Sequence, residues 1–187
     1  PFQSNASTDP LAGRLAAALK HRGPDDAGYW HETGATGPSA LLLHQRLAMQ
    51  DLSAAGHQPM HSACGRYVLV FNGEIYNQHE LRRELEAQGH SFRSSSDTEV
   101  LLALLARQGR AAMPRLRGMY AFCLWDRQER TALLARDPYG IKPLYLWQGR
   151  SGELLFASEL RALLATGLVE RRLNGTALAA FLGAGSV

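Results

Sequence analysis

Apolar residues recur along the chain in two rhythms. Leu11, Leu15 and Leu19 fall four apart behind Asp9-Pro10 and stop before Gly23-Pro24, which predicts a capped helix with proline at its first position. Leu81 and Leu85 follow Asn77-Gln78-His79-Glu80, and Val100, Leu101, Leu104 and Leu105 follow Ser96-Asp97-Thr98-Glu99. Both read as amphipathic helices opened by a capping box, with Gly89 and Gly109 just past their ends. Short apolar runs bounded by Gly, Pro, Ser or Asn predict buried strands over 41–44 and 67–71. Four more runs, 120–125, 131–135, 143–147 and 154–157, read as an antiparallel meander, because parallel strands need connections of a dozen or more residues. Hairpin-linked strands with a few helices define an α+β fold. Apolar stretches over 160–165 and 177–182, separated by Gly167 and Asn174-Gly175, close the pattern.

Composition narrows the function classes. A chain of 187 residues supports one core that buries roughly 70% of its unfolded surface, and 45% hydrophobic with 20% charged residues is ordinary for a globular protein. Twenty Lys and Arg against 17 Asp and Glu give a net charge of +3, and the nearest thing to a basic cluster, Arg161 with Arg171-Arg172, reads as a solvated helix end. No nucleic-acid partner is expected. Cys64 and Cys123 are too few for a disulfide framework and lack CxxC spacing, which fits a reduced, intracellular and cytoplasmic setting. No run approaches the ~20 apolar residues of a membrane span, and residues 1–8 carry no signal-peptide pattern, so no membrane partner is expected.

Several groups could carry chemistry. Asn72-Gly73-Glu74, placed directly after the strand ending at Phe71, offers an amide, an approachable backbone N–H and a carboxylate, which together could stabilise an oxyanion. A tight Asn-Gly turn is the competing reading. Arg46, in His44-Gln45-Arg46-Leu47, could hold a carboxylate through two parallel hydrogen bonds or stand at the surface. Asp97, at a helix start, reads first as a capping group. His21, His44 and His57 are not spaced as metal ligands, and no Ser-His-Asp order or phosphate-binding glycine loop is present. Cys64 sits in a polar loop and Cys123 in a core strand, so neither reads as an activated nucleophile.

Taken in order, His21-Arg22-Gly23-Pro24-Asp25, His44-Gln45-Arg46-Leu47, Phe71-Asn72-Gly73-Glu74-Ile75-Tyr76-Asn77 and Ser96-Asp97-Thr98-Glu99 resemble the class II glutamine amidotransferases. Gly118-Met119-Tyr120-Ala121-Phe122, the stretch from Ala135-Arg136-Asp137 to Pro143-Leu144-Tyr145, and Phe156-Ala157-Ser158-Glu159 extend the match to about residue 165. The Glu-Ile-Tyr-Asn and Phe-Ala-Ser-Glu forms are most similar to the asparagine synthetase B type. The resemblance implies an N-terminal-nucleophile hydrolase fold, an αββα sandwich of two antiparallel sheets between helical layers. It also implies hydrolysis of glutamine to glutamate and ammonia by an N-terminal cysteine whose α-amine serves as base.

Carried over by position, Asn72 and the Gly73 N–H would form the oxyanion hole, and Arg46 would hold the α-carboxylate of glutamine. Glu74 and Asp97 would meet its ammonium, with Leu47, Ala48, Met49 and Gln50 lining the pocket. The chain departs from the pattern by opening Pro1-Phe2-Gln3-Ser4, without the cysteine strand; as it stands it is expected to bind glutamine but not to hydrolyse it. The expected organisation is a glutaminase domain over 1–165, incomplete at its N-terminus, with 166–187 a linker into a synthetase domain. This domain needs no cofactor; ATP and magnesium are implied for the synthetase domain, and a homodimer is compatible with the family. A non-catalytic glutamine-binding module, or an amidotransferase with another acceptor, is the alternative.

Overall fold

The computed structural model describes residues 10–34, 37–47 and 54–185. Its central element is a four-stranded antiparallel sheet in the order β3 (Met60–His61), β4 (Tyr67–Ile75), β5 (Gly118–Asp126) and β6 (Thr131–Arg136). Side chains alternate across a strand, so β4 presents different residues to its two faces. Leu69, Phe71 and Ile75 pack with Leu81 and Leu85 of α2 (Gln78–Ala87) and with Val100, Leu101, Leu104 and Leu105 of α3 (Asp97–Gln108). Val68 and Val70 point the other way and pack, with Cys123 and Trp125 of β5, against a second layer. Each fully buried aliphatic or aromatic side chain contributes about 1.5–3 kcal/mol, so this two-sided sheet is the main source of stability.

Among the described residues the second layer consists of two separate hairpins. β1 (Asp26–Glu32) pairs antiparallel with β2 (Ala40–Arg46), Asp26 opposite Arg46, and β7 (Tyr145–Gln148) pairs with β8 (Leu154–Ala157). Trp30, Leu42 and Phe156 from these hairpins meet the Val68–Val70 face. Outside them, Leu15 and Leu19 of α1 (Pro10–Leu19) pack with Ala162 and Leu163 of α4 (Leu160–Ala165) over Leu155 and Ala157. Arg14 fixes the two helices together, its guanidinium donating to the Ala165 and Thr166 carbonyls at the α4 C-terminus. The order is therefore helices, sheet, hairpins, helices: the αββα sandwich the sequence resemblance implies. Beyond α4, among the described residues, lies α5 (Gly175–Ala184), and Leu178, Phe181 and Leu182 on it are exposed.

Three local expectations are corrected. The strand over 67–71 runs on to Ile75, so Asn72-Gly73-Glu74 lies within β4 and forms neither a turn nor a strand end. The meander breaks after β6, because the chain winds around the carboxylate of Asp137. That group accepts N–H bonds from Tyr139 and Ile141 on one oxygen and from Lys142 and Tyr120 on the other. Asn77 does not cap α2 with its side chain, which instead donates to the Arg115 carbonyl and accepts from the Arg117 N–H.

Candidate active site

Position along β4 determines what Asn72, Gly73 and Glu74 can offer. Asn72 shares the face of Val70 and turns its amide toward the second layer, where Nδ2 lies 3.5 Å from Ser158 Oγ. Gly73 stands opposite Tyr120 of β5, and a Cβ there would come within 2.2 Å of the Met119 carbonyl oxygen and 2.8 Å of Tyr120 Cα. Only glycine fits that approach. Tyr120 turns its N–H to Asp137 and accepts the Asp137 N–H on its carbonyl, so the pair Gly73–Tyr120 is of the non-hydrogen-bonded kind. The Gly73 N–H therefore points away from β5, in the same direction as the Phe71 and Ile75 N–H groups.

Those two neighbours are both claimed by side chains. The Phe71 N–H donates to Gln58 Oε1 at 2.7 Å while Gln58 Nε2 donates to the Phe71 carbonyl at 3.2 Å, and the Ile75 N–H donates to Asp97 Oδ2 at 2.9 Å. Between them the Gly73 N–H has no partner among the described residues and stands one residue from the Asn72 amide, an arrangement suited to a developing oxyanion. His44 Nε2 also reaches the Phe71 carbonyl, at 3.1 Å. Burial is the main reason its pKa is pushed down to about 4, with the Phe71 hydrogen bond opposing and the Arg46 charge assisting. The imidazole is thus neutral at physiological pH, Nε2 carries the proton it donates, and Nδ1 is a buried acceptor with no partner among the described residues.

Asp97 does not cap α3; Ser96 does, its hydroxyl accepting the Thr98 N–H at 3.1 Å. Glu99 completes no capping box with Ser96 and instead accepts from the Arg93 and Ser94 N–H groups. The Asp97 carboxyl instead accepts the Ile75 N–H and lies near the charge of Glu74. Burial raises its pKa, the Ile75 and Thr98 N–H groups pull it back, and the Glu74 charge raises it again. Two acidic groups thus meet where β4 ends and α3 begins, a setting that favours a cation.

Arg46 ends β2, two residues beyond the His44 that bonds β4, and its guanidinium lies over Gly56, where a Cβ would fall 2.2 Å from Nη2. Leu47 follows and is exposed, while Ala48, Met49 and Gln50 lie outside the described residues. Elsewhere, Glu159 accepts from His21 at 2.8 Å and pairs with Arg22 and Arg161, joining the first and last sequence motifs. Arg161 is therefore part of an ion pair and not merely a solvated helix end. Gln58, Ser158 and the pair His57–Asp26 at 2.7 Å escaped sequence reasoning. The Gln-Pro step and the Ala-Ser-Glu motif were the available signals.

Above Asn72 opens a cavity of about 870 Å³. It runs between the outer edges of β2 and β8, with Val70 and Cys123 beneath it and Leu15 and Leu163 over it. Among the described residues neither edge is paired. Cys123 lines it but is buried, which pushes its thiol up to about 12. Cys64, which the Ser62 hydroxyl holds below the ordinary thiol range, is not among the lining residues.

A four-layer αββα domain carrying an amide and a backbone donor on one inner strand is the class of protein defined by this fold and site. The chain belongs to the glutamine amidotransferase domain family, whose model matches residues 2–187, and is of the class II, N-terminal-nucleophile type. It is 40% identical to asparagine synthetase [glutamine-hydrolyzing] 1 of Bacillus subtilis over 88% of the chain and 25% of that protein. Likewise it is 40% identical to asparagine synthetase B [glutamine-hydrolyzing] of Escherichia coli over 80% of the chain and 26% of that protein. It spans about a quarter of the length of these relatives. Among solved structures, the glutamine phosphoribosylpyrophosphate amidotransferase of B. subtilis superposes with a TM-score of 0.68 at 26% identity, covering 84% of the chain and 40% of that one.

Proposed function

We propose that this domain hydrolyses the side-chain amide of glutamine, and that the full-length protein uses the ammonia for ATP-dependent amidation of aspartate. The observation that carries the reading is the Asn72 amide, which lines the cavity, followed one residue on by the Gly73 N–H, which has no partner among the described residues. A strand bearing an N-terminal cysteine, lying between β2 and β8, would present its thiol to these donors. The thiol attacks the amide carbon of glutamine, its proton passing to the α-amine. The tetrahedral oxyanion takes hydrogen bonds from Asn72 and Gly73, and ammonia leaves with the proton returned by the α-amine. Water then cleaves the thioester to give glutamate. Arg46 holds the α-carboxylate and Glu74 with Asp97 the ammonium, with Leu47 to Gln50 along the pocket wall. ATP and magnesium act in the remainder of the protein, toward which residues 166–187 lead, and a cytoplasmic setting is part of the same reading.

The test uses protein expressed from its complete reading frame, with its intact mass and N-terminal sequence determined and ammonia release from glutamine assayed. The expected result is an N-terminal cysteine and a glutaminase whose turnover falls about 10²–10³-fold in Asn72→Ala, the effect of one lost oxyanion donor. A protein without that cysteine that binds glutamine and releases no ammonia overturns the reading in favour of a glutamine-binding module. Full activity in Asn72→Ala overturns the site assignment.

A further inference from the structure

The β3–β4 ladder ends early, and what replaces it points to a residue outside the expected site. Met60 pairs with Leu69 and His61 with Val68, so continuation of the register sets Pro59 opposite Val70 and Gln58 opposite Phe71. Pro59 falls at a non-hydrogen-bonded position of this register, so the next exchange with β4 would be that of Gln58 with Phe71. At the next position the side-chain amide of Gln58, not its main chain, makes the two-way exchange with the Phe71 peptide. Gln58 is only 6% exposed and is held from behind, because β1 passes so near that a Cβ on Gly28 would fall 1.7 Å from the Gln58 carbonyl oxygen. The peptide thus fixed immediately precedes Asn72, and three residues beyond Asn72, Asp97 fixes Ile75. The donors of Asn72 and Gly73 lie on a span of β4 pinned at both ends by side chains.

We propose that Gln58 is a positioning residue for the oxyanion donors: its amide holds the Phe71 peptide and so sets the Asn72 side chain and the Gly73 N–H where negative charge develops. The inference rests on the glutaminase reading for its catalytic consequence, but the clamp itself is a structural claim. A group that acts only on transition-state donors alters kcat and leaves substrate affinity largely intact. Misplacement of such donors by an ångström costs up to about 10²-fold.

The experiment compares Gln58→Leu and Gln58→Glu with wild type in the full-length protein. Gln58→Leu is expected to lower kcat by about tenfold or more, with KM changed by less than about threefold. Gln58→Glu supplies the readout that a merely structural role would not move. Ionised, the introduced carboxylate loses the donor and opposes the Phe71 carbonyl; protonated, its O–H donates to that carbonyl while its C=O accepts the Phe71 N–H, restoring both bonds. Burial holds an introduced carboxyl above its ordinary range near ~4.3. The kcat ratio of Gln58→Glu to wild type therefore rises as pH falls from 8 to 5.5. Asp26 and His57 on one side and His44 and Arg46 on the other lie near the same loop; the ratio removes their effect on wild-type turnover, and their charges set where between pH 8 and 5.5 the introduced carboxyl takes up its proton.

A Gln58→Leu variant within twofold of wild type in kcat, or a Gln58→Glu deficit independent of pH, overturns the proposal. If wild type itself releases no ammonia, the glutaminase reading fails, and hydrogen exchange still decides the clamp. The Phe71 amide should exchange at least about tenfold faster in Gln58→Leu, while an unchanged rate rules the clamp out.

Discussion

Asp97 illustrates how one carboxyl can be poorly suited to the fold and well suited to a ligand. Burial raises its folded pKa above the unfolded value, with the Ile75 N–H opposing and Glu74 adding to the rise. A raised value means that the folded state binds the proton more tightly. The stabilising contribution is present below the unfolded pKa and is lost as pH rises through the folded one. Above the unfolded pKa the carboxyl therefore opposes folding relative to a neutral group, whereas an asparagine oxygen can still accept the Ile75 N–H. Asp97→Asn should raise stability of this chain against denaturant at pH 7, with the advantage vanishing toward pH 3. In the full-length protein it should raise KM for glutamine about tenfold or more, the worth of a charged hydrogen bond. A variant less stable at pH 7 would contradict the electrostatic argument, and an unchanged KM would remove Asp97 from the ammonium site.

At the scale of elements, the loop after β6 depends on a single side chain. Asp137 is 3% exposed; burial alone would raise its pKa, but the N–H groups of Lys142, Ile141, Tyr120 and Tyr139 hold it below the usual carboxylate range. Its contribution is therefore present above the unfolded pKa and lost as pH falls through the folded one. Asn at this place must turn an NH₂ toward two backbone donors, at a cost of about 2–4 kcal/mol. Asp137→Asn should lower the urea midpoint accordingly and flatten the acid limb of the stability profile; a variant as stable as wild type at pH 7 would refute the account. The same loop shows why the meander was misjudged in the sequence. Strand runs were legible as short apolar stretches bounded by turn residues, but a buried carboxylate that redirects the chain looks like any surface aspartate. The helices were legible because Leu81, Leu85, Leu101 and Leu105 keep helical spacing. β1 was missed because Asp26, His31 and Glu32 interrupt its apolar residues, and β3 because two residues carry no period. Asn72, Gly73 and Glu74 were recognised by their motif, but the donor geometry of Gly73 follows from its register with Tyr120, a long-range pairing that local pattern does not encode.

For the whole molecule, the decisive feature is that, among the described residues, the inner layer facing β4 and β5 is two hairpins and not one sheet. The edges of β2 and β8 both border the cavity above Asn72, and open edges are ready templates for another strand. One added strand, paired on both sides, would join the hairpins, cover Val70 and Cys123 and satisfy the exposed N–H and C=O groups of both edges together. That strand is where the proposed function places the nucleophile, so structural completion and catalytic completion become one event. The prediction follows directly. In the full-length protein, about half of the amides in residues 40–44 and 154–157, those facing the cavity, should exchange hydrogen at least about tenfold more slowly than in this 187-residue chain. Amides of β4 and β5, already paired here, should change far less. Equal exchange at the two edges in both proteins would mean that nothing enters the cavity, and the nucleophile would have to reach Asn72 by another route.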